Sequence, residues 1–481
     1  MHGQIRKLSF LVAAGLLLTA CQPAADAIPD ADQVATIVAA TLSASDADGP
    51  DQPTASPEPD SPTGEAANSA YGACANSGTL TVAYVKEADV WLWVQGGEPS
   101  QLTDTGDVAD LKLSDDGCRV AFVRLIDNAN FDPNAETFSD QTYNELWLVN
   151  SDGSGAQVLA GADFLSELPA PDASTTMSLY RFDWRPGTHS LAFSTQAAAY
   201  GLVLSNDIHL VDANAAEIST LLPGGQGGDF YFSSDGSQVA FSTHQSVGLI
   251  NTDGSGLQTD LITFPTVITY SEYLYYPPVH WGPDSNDLMV AVPPEDGLAQ
   301  PANGVYPETD LWYVPLDGTD PWGAGAIQNV WFAQSEVSFA PDVGRIAYLR
   351  PVGQPEENRS ELVIALSNGS NESLNLEENR ITIGAWSPDS SQLLYWYEGA
   401  DGRPMIYLAN AADGSIQPAD GLTQFQANVA YFQWLDANAY VQSLYRGADN
   451  FIELGLINLD GTGVVIDAYQ SNAAVFDVAG P

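Results

Sequence analysis

From about residue 77 onward, short apolar runs alternate with clusters of Ser, Asp, Pro and Gly, and the alternation repeats. "FSSDGSQVAF" (Phe232 to Phe241) shows the unit: an aromatic residue, a polar turn, then a Val-Ala-Phe run. Its relatives are "LSDDGCRVAF" from Leu113, "WRPGTHSLAF" from Trp184, "WGPDSNDLMV" from Trp281, "FAPDVGRIAY" from Phe339, "WSPDSSQLLY" from Trp386 and a degraded copy from Trp434. Successive starts lie 71, 48, 49, 58, 47 and 48 positions apart. Pro pre-sets φ at the second turn position, Asp or Ser bonds nearby backbone, and Gly or Asn takes positive φ. The motif is therefore a tight hairpin turn between two strands. A second element follows each copy: "DVWLWV" from Asp89, "ELWLVN" from Glu145, "DIHLVD" from Asp207, "VGLINT" from Val247, "DLWYVP" from Asp310, "ELVIAL" from Glu361, "MIYLAN" from Met405 and "ELGLIN" from Glu453. Several of these run into turns such as "SDGSG" or "LDGTG" and predict a third and a fourth strand.

Four antiparallel strands repeating near 48 residues are the blades of an all-β propeller. The motifs resemble the TolB-type, WD40-like β-propeller repeat over nearly all of residues 77–481. Eight third strands predict eight blades, with seven as the alternative because the last repeats are degenerate. The first blade lacks an inner strand, while "AAVFDVAG" near the C-terminus has no blade of its own. Pairing of that last strand with the first blade is expected to close the ring.

Ahead of the repeats, Arg6 and Lys7 precede an apolar run from Leu8 to Leu18, followed by Thr19-Ala20-Cys21. The run is too short for a membrane span and reads as an export signal over residues 1–20. The Leu-Thr-Ala-Cys ending resembles a bacterial lipobox, which implies cleavage before Cys21 and lipidation of it; a plain signal peptide is the alternative. Residues 21–76 are rich in Ala, Asp, Pro, Ser and Thr and predict a disordered tether. The expected location is the cell envelope, membrane-anchored and facing away from the cytoplasm. Once residues 1–20 are removed, 62 acids face 12 bases, about 50 net negative. That excess argues against nucleic acid as a partner. Cys74 and Cys118 remain as an even pair in an oxidising compartment; a structural disulfide is the favoured reading, with two buried thiols as the alternative.

Functional expectations follow from topology. In a four-stranded blade the stereotyped turns lie on one face of the ring. The longer insertions (125–143, 162–179, 195–205, 262–278, 292–308, 320–335 and 351–359) fall on the other. Loops on a rigid scaffold are where binding residues concentrate. These loops and their edges carry Phe131, Tyr143, Tyr200, Tyr270, Tyr273, Tyr275, Tyr276, Tyr306, Trp322 and Trp331, with Tyr180 and Phe332 beside them. Such side chains anchor interfaces, though many serve only to pack loops. Acids open six third strands (Asp89, Glu145, Asp207, Asp310, Glu361 and Glu453) and form either a rim of carboxylates or a set of local strand-end bonds. No Gly-x-Ser-x-Gly elbow and no metal-ligand spacing is present. "GGQGG" (Gly224 to Gly228) lacks the Lys of a phosphate loop and reads as a connection. His280 precedes Trp281 on an inner strand and is placed to face the channel. The expectation is a monomeric binding or scaffold lipoprotein, not an enzyme and without cofactor or metal, that recognises an envelope protein or a glycan through the loop-rich face. The alternative is a lyase or glycoside hydrolase with converging acids in the channel.

Overall fold

A computed structural model of the chain describes residues 74–127, 142–169, 177–197, 206–269, 273–293, 308–328, 337–352, 359–399, 404–419, 429–446, 451–471 and 474–480. These form eight sheets of four antiparallel strands each, and the fold is an eight-bladed β-propeller. Blades are numbered by their second strands. The inner strands of blades 2 to 8 are Val108–Leu113, Met177–Trp184, Asp229–Phe232, Val279–Trp281, Ser338–Phe339, Thr382–Trp386 and Val429–Trp434. Blade 1 is composite, as expected. Its second strand, Thr81–Lys86, pairs with the C-terminal strand Phe476–Ala479, in register from Thr81↔Ala479 to Tyr84↔Phe476. The ring is thus closed by both ends of the domain.

The Val-Ala-Phe run now has its reason. Side chains alternate across a strand, so each face of a blade packs against a different neighbour. In blade 4, Val239 and Phe241 join a cluster with blade 3, while Ala240 joins a cluster with blade 5. The buried core divides into eight such clusters, one between each adjacent pair of blades. Both faces of the second strand are buried, so its run is wholly apolar.

The motif's aromatic has a second task. The indole N–H of Trp184 donates to the Lys112 carbonyl at 3.1 Å, and Trp281 to Tyr231 at 2.9 Å. Trp386 donates to Ser338 and Trp434 to Ala385, both at 3.2 Å. Each bond runs from one inner strand to the preceding blade's inner strand, so the indoles tie neighbouring blades at the channel edge. The turn after each is closed by Ser and Asp: the Ser114, Ser233 and Ser387 hydroxyls donate to Asp116, Asp235 and Asp389. Gly236 at φ 67 holds the left-handed turn position that Ser285, Val343 and Ser390 occupy in other blades.

Cys74 and Cys118 are bridged, with their Cα atoms 5.7 Å apart. The bond fastens the start of the domain to the blade 2 turn. The one described helix is short, Ala162–Glu167, in the crossover after blade 2. Among the described residues no helix is long and apolar enough to cross a membrane.

Candidate functional site

In blades 2 to 8 the residue immediately before each motif start falls at one level of the channel, and Asp477 holds the matching register in blade 1. Around the ring these are Asp477, Lys112, Asp183, Tyr231, His280, Ser338, Ala385 and Gln433, one per blade, and all are half-buried. Several bond around the ring. Gln433 Nε2 donates to Asp477 Oδ1 at 3.1 Å, Asp477 Oδ2 accepts the Leu113 N–H at 2.8 Å, and Lys112 Nζ donates to Asp183 Oδ1 at 3.1 Å. Burial pushes the Asp477 carboxyl up, as it does Asp110 in the next layer. Lys112 is pulled down by burial but carried above its ordinary value by Asp183 and Asp477. Burial alone lowers His280 to about 4, so its imidazole is neutral at physiological pH.

From the layer of Arg181, on the loop-rich side of this ring, to the stereotyped-turn face the channel widens into a cavity of about 690 Å³, walled by inner strands of blades 3 to 7. Trp184, Tyr231, Trp281, Phe339 and Trp386 supply aromatic surface, and Arg181, Asp183 and His280 supply polar groups. The His280 and Phe339 ring centroids are 4.7 Å apart.

The opposite mouth carries a second constellation, from blades 3 to 5. Tyr180 is the extra residue of a β-bulge: Leu179 pairs with Thr195 and Arg181 with Ser194, leaving Tyr180 unpaired and 46% exposed. Such bulges re-aim side chains. Asp229 opens the blade 4 inner strand. It is delivered by the Gly-rich connection, where a Cβ on Gly228 would sit 1.9 Å from the Ser242 carbonyl oxygen, so only glycine fits. His244 lies in the tight loop between the second and third strands of blade 4, and its ring centroid is 6.5 Å from that of Tyr276. Burial, then the Asp229 charge, raises both Tyr180, to about 12, and Tyr276. Burial also raises the Asp229 carboxyl against the opposing pull of Arg181. Asp229 Oδ1 and His244 Nε2 are shielded from solvent and have no hydrogen-bond partner among the described residues.

The sequence-predicted aromatics are distributed unevenly. Tyr143, Tyr275 and Tyr276 are half-buried at the ends of connections on the loop-rich face. Phe131, Tyr200, Tyr270, Tyr306 and Trp331 lie outside the described residues, as does the side chain of Tyr273. Trp322 requires a correction. Residues 322–328 are the fourth strand of blade 5 rather than an insertion. Trp322 follows the Asp317–Thr319 hairpin, pairs with Tyr313 and lies against its ring at a centroid distance of 4.4 Å, which puts it on the stereotyped-turn face.

The strand-opening acids have close partners. Asp89 accepts from Thr103 Oγ1 at 3.0 Å and from the backbone N–H of Thr105 and Gly106. Asp207 accepts the N–H and hydroxyl of Thr195 at 2.7 and 2.8 Å. Glu145 accepts from Trp147 Nε1 and the Ala162 N–H, and Glu361 pairs with Arg350 at 2.9 Å. Asp310 and Glu453 are also engaged. Among the described residues no group of three His, Cys, Asp or Glu is gathered for a metal.

No protein-family model matches the chain, and no curated protein matches it. Solved structures with a similar fold include an oligogalacturonate lyase in complex with manganese, at 13% identity and TM-score 0.42 over 62% of this chain and 85% of that one. The β-propeller domain of the Trilobed protease from Pyrococcus furiosus follows at 12% and 0.44, covering 76% and 99%. Porphyromonas gingivalis dipeptidyl peptidase 4 is similar at 12% and 0.46, covering 74% of this chain and 53% of its own. At these identities the likeness is one of fold. The expectation that the chain is not an enzyme is nevertheless withdrawn, on the chemistry of the channel itself. The channel holds the half-buried imidazole of His280 and the half-buried carboxyl of Asp477, side chains of the kind that move protons.

Proposed function

We propose that this chain is an envelope lipoprotein, anchored through Cys21 on the tether of residues 21–76, whose propeller holds a glycan at the loop-rich mouth of its channel. The observation that carries this reading is the constellation of Tyr180, Asp229, His244 and Tyr276, in which a shielded carboxylate oxygen and a shielded imidazole nitrogen have no partner among the described residues. A buried polar atom left unpaired costs about 1–3 kcal/mol, and such atoms are rare in folded proteins. A ligand hydroxyl donating to Asp229 Oδ1 recovers that cost. The tyrosine rings offer a flat surface for a sugar face and hydroxyls for its rim. The gathering of the longer connections on this face adds reach around the mouth.

The test is a glycan array probed with the full mature chain, followed by titration of each hit against Asp229→Asn and Tyr276→Phe. Each variant is expected to bind about 10-fold or more weakly, the loss of one hydrogen bond to a charged or shielded group. Products are followed by mass spectrometry in the same samples, because the same groups are able to move protons. Wild-type affinity in both variants would overturn the reading.

A further inference from the structure

The channel cavity reaches from the layer of Arg181 to the stereotyped-turn face, and Arg181 is the one guanidinium that lines it. The chain has 62 acids and 14 Lys plus Arg, and among the described residues Lys86, Lys112, Arg124, Arg350, Arg359 and Arg380 reach a carboxylate while Arg119, Arg181, Arg185 and Arg345 do not. Lys112 pairs with Asp183. The Arg181 guanidinium has no carboxylate within ion-pairing distance among the described residues. It lies instead over the Tyr231 ring, 4.7 Å from its centroid, and 5.2 Å from that of Phe230. The ring contacts hold the guanidinium in place, and its five N–H donors suit a planar, two-oxygen acceptor.

The rest of the wall defines the ligand's body. The indole N–H groups of Trp184, Trp281 and Trp386 are already bonded to backbone carbonyls, so these rings present only apolar surface to the cavity. His280 is neutral, and with the Ser338 hydroxyl it adds hydrogen-bonding capacity but no charge. The acids that face Arg181 are largely occupied: Asp183 by Lys112, and Asp115 by the Gly187 N–H at 3.1 Å. Asp229, in the same channel layer, interacts with Arg181 electrostatically without an ion-pair contact. At about 690 Å³ the space lies within the ~300–1,000 Å³ of small-molecule sites, and strands of five blades build it rigidly. The chain's net negative charge is screened beyond about 8 Å at physiological ionic strength, so the Arg181 edge sets the local preference.

We propose that the channel cavity binds a small organic acid with an apolar or aromatic body, its carboxylate on the N–H groups of Arg181 and its body against the tryptophan wall toward the stereotyped-turn face. Arg181 shares a channel layer with Asp229 and interacts with it, but the glycan reading is tested at Asp229 and Tyr276 and this one at Arg181, so either can fail alone.

The probes are benzoate, phenylacetate and indole-3-acetate, each paired with its neutral amide, titrated into the mature chain by ligand-observed NMR. The acids are expected to bind and the amides to bind about 10- to 100-fold more weakly, the range for a hydrogen bond to a charged group. Arg181→Gln is expected to erase the difference between acid and amide, and Ala385→Phe, which fills the cavity from another blade, to weaken both. Thermal melts establish that each variant is folded, and either variant suffices. Acids and amides that bind alike, wild-type acid binding in Arg181→Gln, or no acid tighter than about 1 mM overturns the proposal.

Discussion

Replacing Trp281 with Phe tests how the ring is held together. Trp281 donates its indole N–H to the Tyr231 carbonyl at 2.9 Å, across the boundary between blades 4 and 5. Phenylalanine keeps the aromatic ring against that boundary but removes the donor. The freed carbonyl lies on the channel edge, where water reaches it, so the net loss is nearer 1 kcal/mol than the full cost of a dry unpaired group. The smaller ring also gives up roughly 30 Å² of apolar contact, about 0.8 kcal/mol. The sum is about 1–2 kcal/mol. Urea unfolding at neutral pH followed by circular dichroism measures it, with the midpoint lowered and the slope unchanged. Trp322→Phe is the control, because that indole is half exposed at a hairpin, and it is expected to cost less than about 0.5 kcal/mol. Trp184, Trp386 and Trp434 make the same bond at other boundaries, so the four substitutions should add, to about 4–8 kcal/mol. A Trp281→Phe protein within 0.5 kcal/mol of wild type would refute the view that these indoles tie the blades.

Removing the Cys74–Cys118 bridge by a double Ser substitution is expected to cost up to about 4 kcal/mol, from the chain entropy of a 44-residue separation, read as a lower urea midpoint that reductant reproduces in the wild type. Burial holds His280 at about 4 against an ordinary 6.5, so its contribution is intact above about pH 6.5 and is lost as pH falls toward 4, by at most about 3 kcal/mol. His280→Gln should flatten the acid dependence of stability across that window; an unchanged slope between pH 6.5 and 4.5 would contradict it. The carboxyls raised by burial are common to both proteins and cancel in the comparison. Cys21→Ser should release the chain from the membrane fraction on cell fractionation, and a variant that stays membrane-bound argues against the lipid anchor.

The fold was legible because the blade repeats its chemistry. Aromatic, turn and apolar run recur with each blade, and eight third strands with one orphan C-terminal strand leave a single way to close the ring. The channel was legible in principle too. The residues just ahead of the motif starts in blades 2 to 8 (Lys112, Asp183, Tyr231, His280, Ser338, Ala385 and Gln433), and Asp477 in the matching register of blade 1, differ from blade to blade, while the aromatics beside them barely change. A repeat position that varies against an invariant neighbour is one the fold does not need filled in any particular way, and here it faces the axis. The loop-side constellation was harder to see. Tyr276 was visible as one ring among many, but Asp229 and His244 follow no shared spacing with it. They meet because consecutive blades return their connections to one mouth, and because Gly228 lets the chain press against the Ser242 carbonyl. Trp322 misled for the converse reason: after a hairpin, "WGAGAIQ" is too poor in apolar alternation to announce an outer strand, and only its pairing with residues 308–313 reveals one. What the scaffold repeats can be read from the sequence by alignment of the chain against itself. What it brings together only once, as with an Arg181 left without a carboxylate among so many acids, emerges when the ring is closed.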